Sequence, residues 1–151
     1  MAIETAYATA HDKADWLPLW QAYLAFYKNP LPDDVTDLTF ARFLDDREQM
    51  VLLVARDGDQ MVGFATVIQH HSTWAKHGYI YLEDLFVTEK VRGKGVGRKL
   101  IAAVVAHAQS EHCERVYWVT HHYNQTARRL YDSVAAEQGF VTYIAAMPGE
   151  T

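Results

Sequence analysis

Nine residues of strand-forming character, Tyr79 to Val87 (YIYLEDLFV), run into a glycine- and cation-rich turn, Arg92 to Gly97 (RGKGVG), and then into an amphipathic segment ending near His112. That order constrains the fold more than any other feature of the chain. The strand is aromatic and aliphatic, so it belongs inside a sheet. The segment after the turn carries Leu100, Ile101, Val104, Val105 and Ala108 at helical spacing, so one of its faces must pack on that sheet. The turn between them holds Gly93, Gly95 and Gly97 with four cations, Arg92, Lys94, Arg98 and Lys99. A helix start presents unpaired N–H groups and a positive dipole end, so cations gathered there are unfavourable unless an anion joins them. Glycines let a phosphate approach the backbone and the amides donate to it. The expected occupant is therefore a phosphate-bearing ligand; the alternative is a solvated basic turn.

Two familiar phosphate motifs do not apply. The pattern GxxxxGK[ST] is absent. A dinucleotide fingerprint needs GxGxxG and an acidic residue about 20 positions on. Here the third glycine comes one position early, and the next strand ends in Thr120-His121.

The rest of the chain supplies a sheet and its cover. Ile3 to Ala8 is a first strand. Lys13 to Tyr27 reads as a helix with Trp16, Trp20, Tyr23, Leu24 and Tyr27 on one stripe and Asp12 as its N-cap. Asn29-Pro30-Leu31-Pro32 ends it, and a short helix is expected over Thr36 to Asp45. Met50–Arg56 and Met61–Gln69 form a hairpin around Asp57-Gly58. A polar loop, His70 to Gly78, carries Trp74. Val116 to Thr120 is a strand, Asn124 to Ala136 a helix, and Phe140 to Ala146 a closing strand after Gly139. The fold class is a mixed α/β (α+β) sheet with both faces partly covered. Simple alternation along Tyr79–Val87 puts Tyr79, Tyr81, Glu83, Leu85 and Val87 on one face, and Ile80, Leu82, Asp84 and Phe86 on the other.

Bulk properties narrow the function. The length of 151 residues, half of them hydrophobic, suits one domain over 1–151. A net charge of −5 argues against a general nucleic-acid binder, which needs a basic face. No basic start precedes an apolar run, no apolar run approaches the ~20 residues of a membrane span, and the one cysteine, Cys113, has no intrachain partner. A cytoplasmic protein without membrane or nucleic-acid partners is expected. The pairs His70-His71 and His121-His122 lack metal-ligand spacing, so no metal is expected.

On these motifs the chain resembles the GNAT superfamily of N-acetyltransferases. Arg92-Gly93-Lys94-Gly95-Val96-Gly97 is similar to that family's pyrophosphate loop, Tyr81 to Val87 to its central strand, and Asn124-Gln125-Thr126-Ala127-Arg128-Arg129-Leu130-Tyr131 to its N-x-x-A-x-x-x-Y helix. The LED-[LF]-[FY]-V string and Phe26-Tyr27-Lys28 before the prolines look most like the branch of spermidine/spermine and histone- or polyamine-acetylating enzymes. One departure stands out: Val134 to Gln138 separates Tyr131 from Gly139-Phe140, which implies a longer last helix or loop than in many relatives.

The resemblance implies a twisted sheet splayed between two parallel strands, 79–87 and 116–120, with acetyl-coenzyme A in the splay. It implies that Leu85, Phe86 and Val87 line the pantetheine arm, that Arg92, Gly93, Lys94, Gly95, Val96, Gly97 and Arg98 hold the pyrophosphate, and that Asn124 bonds the cofactor arm. An amide near Phe86 would serve the oxyanion. Glu83 is the implied base and Tyr131 the implied acid; on its residues alone Glu83 fits a local hydrogen-bond network, Tyr131 a core position and Asn124 a helix N-cap equally well. Tyr27, Trp74 and Asp84 are expected at the amine pocket, with Asp33 and Asp34 as further acidic candidates. The expected substrate is a small cationic amine such as a polyamine. A protein amine and a non-catalytic coenzyme A-binding role are the alternatives. A homodimer is expected from the resemblance.

Overall fold

Alternating apolar runs separated by turn residues become a five-stranded sheet in chain order: β1 (Ile3–Tyr7), β2 (Met50–Asp57), β3 (Gln60–His70), β4 (Tyr79–Val87) and β5 (Arg115–Tyr117). This computed structural model describes residues 1–149. The first three junctions are antiparallel and β4–β5 is parallel. The hairpin between β2 and β3 turns at Gly58, whose φ of 59° is one that glycine adopts without strain. The helices are α1 (Lys13–Phe26), α2 (Asp33–Phe43), α3 (Val96–Ser110) and α4 (Gln125–Val134). The chain divides into two units, Met1–Val119 and a second beginning at Thr120.

In the first unit each sheet face has its own apolar cover. The aromatic stripe of α1 does what its spacing requires: Trp16 and Trp20 are buried and stack on each other and on Phe40 of α2. They close over Leu52, Val54, Met61 and Phe64. Each such fully buried side chain contributes about 1.5–3 kcal/mol. Trp20 Nε1 donates to Thr36 Oγ1 at 3.2 Å, which joins α1 to α2 and satisfies both buried groups. The opposite face carries α3, which buries Val96, Leu100, Ile101, Val104 and Ala108.

Several boundaries differ from expectation. Asp12 stands at the N-cap of α1 but makes no cap bond; its carboxylate takes the Thr9 amide at 2.7 Å and Arg56 Nη2 at 2.6 Å. Arg56 also donates to Asp15, at 3.0 Å, so it ties β2 to the start of α1. Helix α2 starts at Asp33, because Pro32 in an extended conformation (ψ 150°) can precede a helix directly. Strand β5 ends at Tyr117 rather than Thr120. Among the described residues of the second unit, α4 is the single regular element, and the closing strand expected over 140–146 does not form. Phe140 (82% exposed), Val141 (74%), Tyr143 (90%) and Ile144 (87%) show why: side-chain preference proposes a strand, but a strand exists only when an edge pairs with it.

Candidate active site

The site begins where two parallel strands part. Pairing of β4 with β5 covers Tyr79–Arg115, Ile80–Val116 and Tyr81–Tyr117 and goes no further among the described residues. From Leu82 onward β4 is held by β3 alone, and its other edge carries main-chain groups available to an extended ligand.

At the head of that open edge the β3–β4 register slips. Val67 pairs with Leu82 but Thr66 pairs with Asp84, so Glu83 is an extra residue, a β-bulge. The bulge overturns the simple alternation. Thr66 and Ile68 share a face of β3, and their partners are Asp84 and Tyr81. Tyr79, Tyr81, Asp84 and Phe86 therefore share one face, while Ile80, Leu82, Leu85 and Val87 share the other. Contacts agree: Phe86 meets Tyr23 of α1 and Phe64 with ring centroids 6.0 and 5.9 Å apart. The opposite face meets α3, since a Cβ built on Gly63, which pairs with Val87, would touch Leu100 and Val96.

Two consecutive carboxylates thus lie at the point where the strands separate, and their environments differ. Asp84 is the deeper one. Its Oδ2 accepts from Thr66 Oγ1, and the Tyr23 phenol, whose ring meets Phe86 on the same face of β4, lies beside its carboxylate. Burial raises its pKa, opposed by those two hydroxyl donors. Glu83 is exposed, yet partial desolvation, with the Asp84 charge second, lifts it above the usual carboxylate range. The same charges push phenols up: Tyr23 by burial and then Asp84, and Tyr81 by burial and then Glu83. A partly desolvated carboxylate with a raised pKa is a competent proton acceptor.

An aromatic wall continues from this pair in both directions. On one side Tyr23 contacts Tyr27 with centroids 5.0 Å apart, and Tyr27 is 44% exposed. On the other Tyr81 stacks on Tyr117 at 5.1 Å. The Tyr117 hydroxyl lies 2.7 Å from His70 Nε2, while His70 Nδ1 is 2.7 Å from the His71 carbonyl. That carbonyl can only accept, so Nδ1 carries the proton and Nε2 accepts from Tyr117. Trp74 is 85% exposed on the loop between β3 and β4.

The turn after β4 is shaped for an anion. Gly93 and Gly95 have φ of 77° and 84°, and α3 starts at Val96 with no side-chain cap and no acidic residue in its first turn. Its first helical bond is Lys99 N to Gly95 O at 3.1 Å, so the amides of Val96 and Gly97 precede the helical ladder and face the glycine turn. Two of the cations bond nearby main-chain carbonyls. Arg92 Nε donates to the Val87 carbonyl at 3.0 Å, with its guanidinium 5.8 Å from the Phe86 ring centroid; Lys99 Nζ reaches the Ile3 carbonyl at 3.3 Å. Arg92 therefore fastens the turn to the end of the open strand.

In the second unit, Asn124 Oδ1 accepts from Ala127 N at 3.4 Å, the N-cap geometry of α4, and Tyr131 follows on that helix. Among the described residues no group of three or more His, Cys, Asp or Glu side chains could hold a metal ion, and no helix is long and apolar enough to cross a membrane. Two contributors escaped sequence reading, Tyr23 and Thr66. Tyr23 was hidden in an apolar stripe. Thr66 left a signal, as the one hydroxyl within the apolar run MVGFATVI.

The family model described as acetyltransferase (GNAT) family matches residues 16–135. The chain is 40% identical over 134 residues to the D-amino-acid N-acetyltransferase HPA3 of Saccharomyces cerevisiae, covering 87% of this chain and 83% of that protein. It is 35% identical over 78 residues to the spermine/spermidine N(1)-acetyltransferase of Bacillus subtilis, about half of each chain. Among solved structures, AAC(6')-Iy in complex with the bisubstrate analogue CoA-S-monomethyl-acetylneamine superposes with a TM-score of 0.84 at 18% identity, covering 97% of this chain and 99% of the other, which speaks to the fold alone.

Proposed function

Because the chain belongs to the GNAT acetyltransferase family and is an acetyl-CoA-dependent N-acetyltransferase, we propose that its acceptor is a small amine carrying positive charge, polyamines being the leading class. One observation carries this reading: adjacent carboxylates, Glu83 and Asp84, stand at the β-bulge where the open edge of β4 begins. In the proposed reaction the neutral amine attacks the thioester carbonyl carbon. A C–N bond forms, the C–S bond breaks, the amine proton goes to Glu83, directly or through water, and the thiolate takes a proton from Tyr131. The raised pKa of Glu83 narrows its gap to an ammonium near 10.4, and loss of water around the amine narrows it further.

The turn 92–97 and the first-turn amides of α3 are the proposed pyrophosphate seat, with Lys94 and Arg98 adding charge and Leu85, Phe86 and Val87 bonding the pantetheine arm. Asn124 is the proposed second contact to that arm. Asp84 holds a cationic group of the acceptor beside Tyr27, where aromatic faces favour a cation. Trp74 is the further aromatic side chain proposed for this pocket. Residues 1–151 are proposed to act as one domain, cytoplasmic and as a homodimer.

A second reading has its own support: a relative 40% identical over most of the chain is a D-amino-acid N-acetyltransferase. A D-amino acid brings a carboxylate toward Glu83 and Asp84, which favours basic side chains among such substrates. Thiol release from acetyl-CoA with a panel of spermidine, D- and L-amino acids, lysine peptides and aminoglycosides separates these. Turnover of polyamines or basic D-amino acids above the others is expected; preference for lysine peptides would move the acceptor to proteins.

A further inference from the structure

Asp84 is a half-buried carboxylate with an unusual pair of supports. The two hydroxyls beside it, that of Thr66 from β3, which donates to it, and the Tyr23 phenol from α1, are neutral, and among the described residues no lysine or arginine supports its ionisation. A buried charge is costly unless paired with opposite charge or well bonded. Hydroxyl donors fix the carboxylate without neutralising it, so the negative charge remains for a cation from outside. Tyr23 is itself immobilised: its ring stacks on Trp20 at 5.7 Å and meets Phe64 at 5.8 Å and Phe86 at 6.0 Å. Its phenol is therefore delivered to Asp84 by the rigid aromatic core, and its ring edge continues to half-exposed Tyr27.

We propose that Tyr23 is a positioning residue for the acceptor amine: together with Thr66 it orients Asp84 so that its charge faces the incoming cation beside Glu83. The inference rests on the proposed acceptor site. It adds a division of labour, in which Asp84 with its two hydroxyl supports binds and Glu83 moves the proton. Tyr23 touches neither the acceptor nor the thioester and acts through Asp84.

The division predicts separable kinetics. Tyr23→Phe keeps the ring and its packing but removes the donor. The bound cation then meets a carboxylate that is less well oriented and more readily protonated. With whichever of spermidine, D-lysine or thialysine the wild type acetylates fastest, KM for the amine should rise about tenfold, equivalent to about 1.4 kcal/mol. The value of kcat should stay within about threefold. The acid limb of kcat/KM should move to higher pH, and acetyl-CoA affinity measured by calorimetry should not change. Thr66→Val should act in the same direction and Thr66→Ser should restore the wild-type KM, which separates a hydroxyl role from a packing role. An unchanged KM and pH profile in both Tyr23→Phe and Thr66→Val, with an active wild type, overturns the inference and leaves the function intact. A loss confined to kcat also overturns it, since that would place Tyr23 in the proton step. A wild type that acetylates none of the three amines overturns the acceptor reading and this inference with it.

Discussion

Gly63 sits in β3 directly behind the open strand, and adding one methyl group there should damage both stability and cofactor binding. A Cβ at this position would lie 2.7 Å from the Phe86 carbonyl oxygen, 3.2 Å from Leu100 Cδ1 and 3.5 Å from Val96 Cγ1. Leu100 can rotate slightly. The Phe86 oxygen is main chain and cannot. Relief of roughly half an ångström must come from moving β4 away from β3 or lifting the first turn of α3, where Val96 is only 1% exposed. Overpacking of this kind costs about 1–3 kcal/mol. For a chain of this size Gly63→Ala should then lower Tm by about 3–10 °C. Either movement displaces Phe86 or the α3 amides, so coenzyme A affinity should fall about tenfold or more. Differential scanning calorimetry and isothermal titration calorimetry measure the two effects. Gly58→Ala is the control: no atom lies within 4 Å of its Cβ, but its φ of 59° makes the substitution strained. It should cost about 1–2 kcal/mol and leave coenzyme A binding alone. A Gly63→Ala protein with Tm within 1 °C of wild type and unchanged coenzyme A affinity would refute the reasoning.

Three further outcomes are expected. Glu83→Gln should reduce kcat by about a hundredfold or more with coenzyme A affinity retained, and the surviving rate should lose its acid limb; a rate within twofold of wild type removes Glu83 from the proton step. Asp84 has a folded-state pKa raised by burial, so its ionisation costs stability above that pKa and costs nothing below the unfolded value. Asp84→Asn should therefore raise Tm at pH 8 more than at pH 4 while weakening amine binding, and equal Tm shifts at both would contradict the buried charge. His107, buried on α3, has Nδ1 2.8 Å from the Tyr7 hydroxyl, and burial depresses its pKa against an opposing pull from Glu111. The neutral form is the folded form, so its contribution is full above pH ~6.5 and fades as pH falls from there through the depressed value. His107→Gln should flatten the stability curve across that window, and an unchanged slope in chemical denaturation would show that another group titrates.

The aromatic stripe of α1, the hairpin around Gly58 and the glycine turn before α3 were legible because each is written in neighbouring residues. Spacing fixes a helix face, and a positive φ selects glycine. The C-terminal strand was not legible, because Phe140 to Ala146 states a preference that only an available edge can fulfil. The faces of β4 were misread for a related reason. Alternation holds along an uninterrupted strand, and nothing in YIYLEDLFV announces that Glu83 will be the extra residue opposite Thr66 and Val67.

The sequence alone determined the order of elements, the anion-seeking turn and the presence of two carboxylates in an apolar strand, since these depend on contacts a few residues apart. Tertiary structure decided which carboxylate is deep and which is open. That outcome needs the β3–β4 register slip, a hydroxyl from β3 and a phenol from α1, 61 positions before Asp84 in the chain. A pKa is set by every group within a few ångströms, whatever its distance along the chain, so the chemistry of Glu83 and Asp84 exists only once the sheet and its aromatic cover have closed around them.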